Sequence, residues 1–216
     1  MNNFIIALDG PSGSGKSTIA NLLAKKLKIS YLNTGSMYRA LTLYFLENNI
    51  KKSDDFDKNI LENINIDINK DKVFLNGEDV SKEIRDKEVT ENVSWVSSMP
   101  EVREYLVEMQ RNISNNKSII LDGRDIGTVV FPNAKYKFYL TASSFVRAKR
   151  RFDQKEIDKS FEEIKEDIEK RDYLDSHREI SPLKKADDAI EIDSSDLTIS
   201  QTIDKIIENM DKEDVL

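Results

Sequence analysis

The chain has 216 residues, of which 38% are hydrophobic and 34% are charged, a composition typical of a soluble globular protein with one substantial core. Its net charge of −7 argues against a nucleic-acid partner, because nucleic-acid-binding surfaces are basic overall. No apolar stretch approaches the roughly 18 residues that span a membrane, and the chain does not begin with a targeting segment, so we expect a cytoplasmic protein without a membrane partner. The absence of cysteine excludes thiol catalysis and cysteine-ligated zinc, and a single histidine argues against His-based triads and metal clusters.

The first motif along the chain is a strand, a glycine-rich loop and a helix in direct succession. An apolar run at 4–8 leads into Gly10-Pro11-Ser12-Gly13-Ser14-Gly15-Lys16-Ser17, and an amphipathic segment follows to Leu27. The spacing G-x-x-x-x-G-K-S is that of a phosphate-binding loop (P-loop), whose backbone N–H groups surround a di- or triphosphate at the positive end of a helix. Lys16 would reach the β- and γ-phosphates, and Ser17 would bind Mg²⁺ with water. We predict that ATP contacts the loop and the residue after it: Gly10, Pro11, Ser12, Gly13, Ser14, Gly15, Lys16, Ser17 and Thr18.

Short apolar runs then alternate with amphipathic segments, the pattern of a parallel sheet covered by helices. A short strand near Tyr31-Leu32 is followed by a helix from Thr34. Isoleucines alternate with polar residues over 64–69, a turn follows at 70–72, and Asn76-Gly77 indicates a tight hairpin. These signals predict a small antiparallel meander inserted into an α/β fold.

The rest of the chain returns to helices and single strands. Helical periodicity covers 87–98 and 101–113, with Pro100 separating the two segments. The remaining predicted elements, in order, are a strand at 118–121, a strand at 137–140, a basic helix with Arg147, Lys149, Arg150 and Arg151, a charged stretch at 153–159, a charged helix around 161–168, a strand at 189–192 and a closing helix at 198–210. No internal repeat and no long linker divides the chain.

The P-loop indicates phosphate binding but does not specify the reaction. A GTPase needs Asn-Lys-x-Asp, and the nearest sequence, at 69–72, ends in lysine and lies in a hairpin turn. The glycine-rich signature of transport ATPases is also missing. The remaining class is a small-molecule kinase, which needs a second anion pocket and a movable, arginine-bearing cover that excludes water.

Three groups of residues are candidates for that second pocket. Thr34 and Arg39 stand at the start of a helix, where a phosphate could bind. Arg124 and Asp125 follow a predicted strand, at the edge where α/β sheets bind ligands. Arg171, Asp175 and Arg178 are spaced four and three apart, so a continuing helix would present all three on one face. For this last group, a solvated ladder of ion pairs is the competing interpretation.

The chain resembles the bacterial cytidylate kinases. Matching segments occur in the expected order over nearly the whole chain: the P-loop from Asp9, Thr34-Gly35-Ser36-Met37-Tyr38-Arg39, Asp122-Gly123-Arg124-Asp125-Ile126-Gly127-Thr128-Val129-Val130-Phe131-Pro132, and Arg171-Asp172 through Pro182-Leu183. Two departures are Thr34, where serine is frequent in the family, and the apolar pair Tyr173-Leu174, where the family tends to be polar. The second leaves the packing of the predicted lid open.

The resemblance implies transfer of the ATP γ-phosphoryl group to CMP or dCMP, with Mg²⁺ accompanying ATP. By this match the catalytic residues are Lys16, Arg124 and Arg171. The implied CMP-binding residues are Thr34, Tyr38, Arg39, Ser94, Arg103, Arg124, Asp125, Arg171, Asp175 and Arg178. Among these, Ser94, Arg103 and Asp125 would read the cytosine, which suits its chemistry because an aspartate accepts from the exocyclic amine while an arginine donates to a ring acceptor.

The expected architecture is a three-layer α/β P-loop kinase fold: a central parallel sheet, a small antiparallel insertion in the acceptor-binding region and a helical lid. We expect a P-loop core from 1–34, 99–152 and 172–216, an acceptor-binding region at 35–98 and a lid at 153–171. The resemblance also favours a monomer. Whether Asp9 or Asp122 supports the metal stays open at this point.

Two other functions are compatible with the P-loop. One is a different phosphotransferase on the same scaffold, such as a uridylate or shikimate kinase, which substrate comparison would reveal. The other is a nucleotide-sensing module without catalysis, in which the insertion would bind a partner. ADP release that depends on CMP, without a protein partner, would exclude the sensor.

Overall fold

The computed structural model describes residues 3–52, 57–69, 72–154 and 159–215. Its strands are β1 (Ile5–Asp9), β2 (Ser30–Asn33), β3 (Ile66–Asn69), β4 (Lys72–Leu75), β5 (Glu78–Asp79), β6 (Ile119–Gly123), β7 (Tyr136–Thr141) and β8 (Ile190–Asp193). Its α-helices are α1 (Lys16–Leu27), α2 (Thr34–Glu47), α3 (Lys87–Val96), α4 (Pro100–Ile113), α5 (Ser144–Asp153), α6 (Phe161–His177), α7 (Ile199–Glu208) and α8 (Lys212–Val215). Two 3₁₀ turns, at Lys58–Asn63 and Glu83–Arg85, and one π-helical turn, at Ile126–Val130, were not predicted.

The chain divides into two compact units, Met1–Leu32 with Ser114–Leu216 and Asn33–Ile113. They are called the first and the second unit below. The sequence-based partition differs by grouping 99–113 with the core and by separating a lid at 153–171. Part of that lid, residues 155–158, lies outside the described residues, and the partition stays a prediction.

A five-stranded sheet in the order β2-β6-β1-β7-β8 confirms the predicted α/β class. β1 pairs in parallel with β6 and with β7, and β7 pairs in parallel with β8. The side chains of β1 and its neighbours pack with α1 and α7 in one apolar core, which includes Ile6, Leu8, Leu23, Phe138 and Ile206. Because β1 is central, the loop that follows it begins between the ends of β6 and β7: Asp9 is in register with Gly123 and with Tyr139.

The second unit contains the predicted antiparallel meander as a separate sheet in the order β3-β4-β5. Asn76 and Gly77 both have positive φ, as a tight hairpin requires, although residues 70 and 71 of the preceding turn lie outside the described residues. The Asn33 side chain caps α2 by accepting from the Ser36 backbone N–H. None of the described helices combines the length and the apolar composition that a membrane span requires.

Candidate active site

The loop after β1 has the backbone that its glycines permit. Gly10, Gly13 and Gly15 all have positive φ, at 150°, 74° and 91°. A Cβ on Gly10 would stand 2.1 Å from the carbonyl oxygen of Leu140 in β7, so only glycine fits this close approach. Gly15 is the N-cap of α1, which therefore starts at Lys16 with its unpaired N–H groups directed at the loop.

Lys16 lies buried inside this loop. Its Nζ donates to the backbone oxygen of Pro11 at 2.6 Å and to Ser14 Oγ at 3.2 Å. Burial lowers the pKa of Lys16 well below its usual value, and the positive charge of Arg124 lowers it further. Binding of an anion beside this buried lysine would stabilise its charged form. This fits the predicted contact with ATP phosphates.

Ser17 and Asp122 form the polar pair that could hold a metal. Ser17 Oγ donates to Asp122 Oδ2 at 3.0 Å, and Tyr31 Oη donates to Asp122 Oδ1 at 2.8 Å. Burial raises the pKa of Asp122, against the opposing charge of Lys16. These hard oxygen donors fit Mg²⁺, which keeps water and phosphate oxygens as its other ligands. No cluster of three acidic, histidine or cysteine side chains suited to a metal occurs within the described ranges.

Asp9 serves the neighbouring loop instead. Its carboxylate accepts from the backbone N–H groups of Ile126 and Gly127, at 2.8 and 2.7 Å, and so holds the π-helical turn that follows Arg124 and Asp125. Burial raises the pKa of Asp9 to about 6, although these two hydrogen bonds favour the charged form. Of the two carboxylates considered for the metal, Asp122 is therefore the one bonded to Ser17.

A network of buried charges surrounds Arg124. Its Nε donates to Asp175 Oδ2 at 2.8 Å. Burial lowers the pKa of Arg171 to about 10, and the charge of Arg124 contributes. Burial would raise the pKa of Asp175, but Arg124 and Arg171 together hold it below its usual value. The structure thus brings Arg124 and Asp175 together. Because Asp175 is buried and pairs with Arg124 rather than along its own helix, the interpretation as a solvated ladder is wrong.

Arg178 does not lie on the helix face that the sequence predicted for it. α6 ends at His177, and Arg178 has extended backbone (φ −68°, ψ 144°), so Arg171, Asp175 and Arg178 do not share one helix face. The Nε of Arg178 instead donates to the backbone oxygen of Ser181, and its Nη2 lies 3.8 Å from Asp125 Oδ1. Ser181, which accepts this hydrogen bond, has a positive φ of 50°.

Two arginines of the basic helix have a position that the sequence did not indicate. Arg147 and Arg150 of α5 donate to the P-loop backbone, at Ser12 O (2.9 Å) and Ser14 O (3.3 Å). Asp172 accepts from the Ser12 N–H at 3.0 Å. The sequence predicted only a basic helix before the lid at 153–171, without a contact to the P-loop. Its three-residue arginine spacing, which puts both side chains on one helix face, was the available signal.

The second unit holds the remaining predicted residues. Thr34, Tyr38 and Arg103 are buried, and the Arg103 guanidinium carbon lies 5.5 Å from the centre of the Tyr38 ring, a cation–π contact. Arg103 Nη1 also donates to Ser97 O at 3.2 Å. The Nη1 of Arg39 donates to Ile84 O at 2.8 Å and to Thr90 Oγ1 at 2.9 Å. Ser94 is half-buried on α3. Tyr38 and Arg103, two of the predicted CMP-binding residues, are therefore neighbours within the second unit.

Known proteins resemble the chain over almost its entire length. A family model described as cytidylate kinase matches residues 6–212. A cytidylate kinase of Fusobacterium nucleatum is 53% identical over 217 residues, which cover 98% of this chain and 99% of that protein. One of Clostridium botulinum is 49% identical, covering 95% of this chain and 97% of its own.

Similarity to solved structures concerns the fold alone. The crystal structure of an uncharacterized protein from Eubacterium ventriosum superposes with a TM-score of 0.54 at 14% identity, covering 97% of this chain and 99% of that one. The family model and the relatives near half identity carry the assignment. On these grounds the chain belongs to the cytidylate kinase family.

Proposed function

We propose that this protein transfers the γ-phosphoryl group of ATP to CMP or dCMP, giving ADP and CDP or dCDP. The observation that supports this most directly is the grouping of three cations in the first unit, the buried Lys16 and the half-buried Arg124 and Arg171. The charge of Arg124 lowers the pKa of both other groups, so the cations are close enough to repel one another. A polyphosphate would relieve that repulsion, and the charge spread over a transferring phosphoryl group would do so as well.

We assign the donor to the P-loop. The backbone N–H groups from Gly13 to Thr18 at the start of α1 would hold the β- and γ-phosphates, and Lys16 would turn from Pro11 O and Ser14 Oγ to the phosphate oxygens. Ser17 would hold Mg²⁺, with Asp122 orienting it through water. When bound, the ion neutralises charge on the β- and γ-phosphates.

We assign the acceptor phosphate to the arginines of the first unit. Arg124 and Arg171 would hold the CMP phosphate in line with the transferring group, and Arg178 would support it. Asp175, which binds Arg124, would in addition contact the ribose. The protein performs no covalent step in this scheme, because positioning and charge neutralisation account for most of the acceleration of phosphoryl transfer.

We propose that base recognition uses Asp125 of the first unit and Ser94 and Arg103 of the second unit. Asp125 would accept from the cytosine amine, and Arg103 would donate to a ring acceptor. In the second unit, Thr34, Tyr38 and Arg39 would contact the acceptor nucleotide, and Arg39 is bonded to Ile84 O and Thr90 Oγ1. Uracil presents a carbonyl where cytosine presents an amine, so these hydrogen bonds disfavour UMP.

The test compares initial rates with ATP and Mg²⁺ across CMP, dCMP, UMP, AMP and shikimate. We expect turnover with CMP and dCMP, and at least about tenfold lower kcat/KM with UMP. Preference for UMP, AMP or shikimate would refute the assignment, and ATP binding without turnover of any acceptor would indicate a sensor. The monomeric state, the cytoplasmic location and the lid at 153–171 remain predictions that gel filtration, fractionation and amide exchange can test.

A further inference from the structure

The P-loop is attached to α6 through one carboxylate. Asp172 Oδ1 accepts from the Ser12 backbone N–H at 3.0 Å, and its other oxygen, Oδ2, binds Nη1 of Arg147. The same Nη1 donates to Ser12 O at 2.9 Å. Both backbone polar groups of Ser12 are therefore bonded to an ion pair whose members come from two different helices. Ion pairs with shared hydrogen bonds of this kind fix geometry more strongly than isolated surface pairs do.

Packing reinforces this attachment. The Arg147 side chain is only 8% exposed, and its Nε donates to the backbone oxygen of Ala142 at 2.8 Å, which fixes the plane of the guanidinium. A Cβ on Gly13 would lie 3.3 Å from Arg147 Cβ and 3.6 Å from Ile168 Cδ1, so the loop touches both helices. Ala148 and Ile164 join Ile168 in a small apolar cluster between α5 and α6. A displacement of α6 would therefore displace the loop.

The same turn of α6 carries the acceptor-side charges. Arg171 precedes Asp172 directly, and its buried Nε has no hydrogen-bond partner among the described residues. Asp175 lies three residues after Asp172, and it accepts from Arg124 Nε at 2.8 Å. One helical turn is thus fixed at two points: Asp172 to the donor loop, and Asp175 to the loop after β6.

We propose that Asp172 is a positioning residue for phosphoryl transfer, which aligns the donor loop at Ser12 with Arg171 on the acceptor side. Asp172 itself touches neither nucleotide in this scheme. Its Ser12 contact sets where the P-loop stands relative to α6, and its Arg147 contact holds the carboxylate in place. The inference rests on the proposed kinase function, because alignment matters only if a group passes from donor to acceptor.

The first experiment measures steady-state kinetics and ADP binding for Asp172→Asn. The substitution keeps the size and one acceptor but removes the charge that holds Arg147. We expect kcat to fall about 10- to 100-fold, since small misplacements of reacting groups have effects of this size. The Kd for ADP should rise at least about threefold, while the KM for CMP changes by less than about twofold, because Asp175 still holds Arg124. Asp172→Glu, which keeps the charge, should recover part of kcat.

Asp211→Asn is the matched control. Asp211 lies in the first unit outside the predicted lid, pairs with Lys135 at 2.7 Å, and has a side chain that is 64% exposed. This variant should keep the kcat of the original protein. Thermal unfolding and active-site titration of each variant correct kcat for the folded fraction. An unchanged kcat or ADP affinity in Asp172→Asn would overturn the proposal.

A double-variant cycle with Arg171→Ala shows whether Asp172 acts on kcat through Arg171 or independently of it. Once Arg171 is absent, Asp172 no longer positions the arginine that the proposal assigns to it, so adding Asp172→Asn should lower kcat by less than about twofold further. If the fold-decrease of kcat in the double variant equals the product of the fold-decreases in the two single variants, Asp172 acts independently of Arg171 and the proposal is overturned. Absence of CMP turnover in the unsubstituted protein would instead refute the proposed function, so the two failures are distinct.

Discussion

Replacing Gly10 by alanine should destabilise the protein severely, because the new methyl group has no space. Its Cβ would lie 2.1 Å from Leu140 O and 3.1 Å from Leu140 C, both backbone atoms of the neighbouring strand β7. Neither atom can move without disturbing the parallel pairing of β1 with β7. Overpacking of this kind costs about 1–3 kcal/mol. The positive φ of 150° adds about 1–3 kcal/mol of backbone strain.

Together these effects predict a loss of about 2–6 kcal/mol, which corresponds to a fall in Tm of about 5–20 °C for a chain of this size. The control is Gly15→Ala in the same unit, where φ is 91° but the nearest neighbour of a Cβ within the described residues is Arg150 Nη1 at 3.9 Å. Its free energy of unfolding should fall only by the cost of backbone strain, about 1–2 kcal/mol. Urea unfolding followed by circular dichroism, without nucleotide, measures both. Equal losses in the two variants would refute the steric argument at Leu140.

Three further substitutions test the assigned roles. Lys16→Ala should lower kcat about 10²- to 10³-fold while the Kd for CMP changes by less than about threefold, because the lysine acts on donor phosphates; a collapse of CMP affinity at normal kcat would mean that the two sites are exchanged. Asp125→Asn should lower the ratio of kcat/KM for CMP over UMP about tenfold or more, and an unchanged ratio in a folded variant would show that Asp125 does not read the base. Burial raises the pKa of Asp9 from 3.8 to about 6, so the stability contributed by its protonated form is present below the unfolded pKa and is lost as the pH rises through about 6. Urea unfolding should therefore show stability shifting in favour of Asp9→Asn by about 3 kcal/mol between about pH 4 and about pH 7, and a pH-independent difference would contradict the raised pKa.

The parts of the fold that the sequence predicted are those where local rules decide. The P-loop needs glycine at Gly10, Gly13 and Gly15 for backbone reasons, and the Asn76-Gly77 hairpin has the positive φ values that these residue types accept. Most strand and helix locations were correct to within a few residues, but α6 continues to His177, well past the predicted 161–168, and α8 was not predicted. The order β2-β6-β1-β7-β8 was not predicted, because pairing between distant segments leaves no local signal.

The features of the site that the sequence missed depend on contacts between distant residues. Ser12 and Asp172 are 160 positions apart, and only the folded chain shows that they share a hydrogen bond. Arg147 looks like a solvated residue in a basic helix, yet it is buried against the P-loop. The sequence left Asp9 and Asp122 as alternatives for supporting the metal, and it did not indicate that Asp9 accepts from two backbone N–H groups of the π-helical turn. The pattern of charges along a sequence does not show whether a charged residue is solvated, binds a ligand or holds a loop in place.

The central place of β1 has a consequence for synthesis on the ribosome. Ile5 pairs with Ile119, and Ile6 pairs with Tyr136. Strand β1 is therefore synthesised long before β6 and β7, the two strands with which it pairs. The meander of the second unit, by contrast, is completed within a short stretch of chain ending at Asp79. We therefore expect the second unit to become compact during translation while β1 is still unpaired. An apolar strand without partners is a target for aggregation, and nascent-chain chaperones would protect it during that interval.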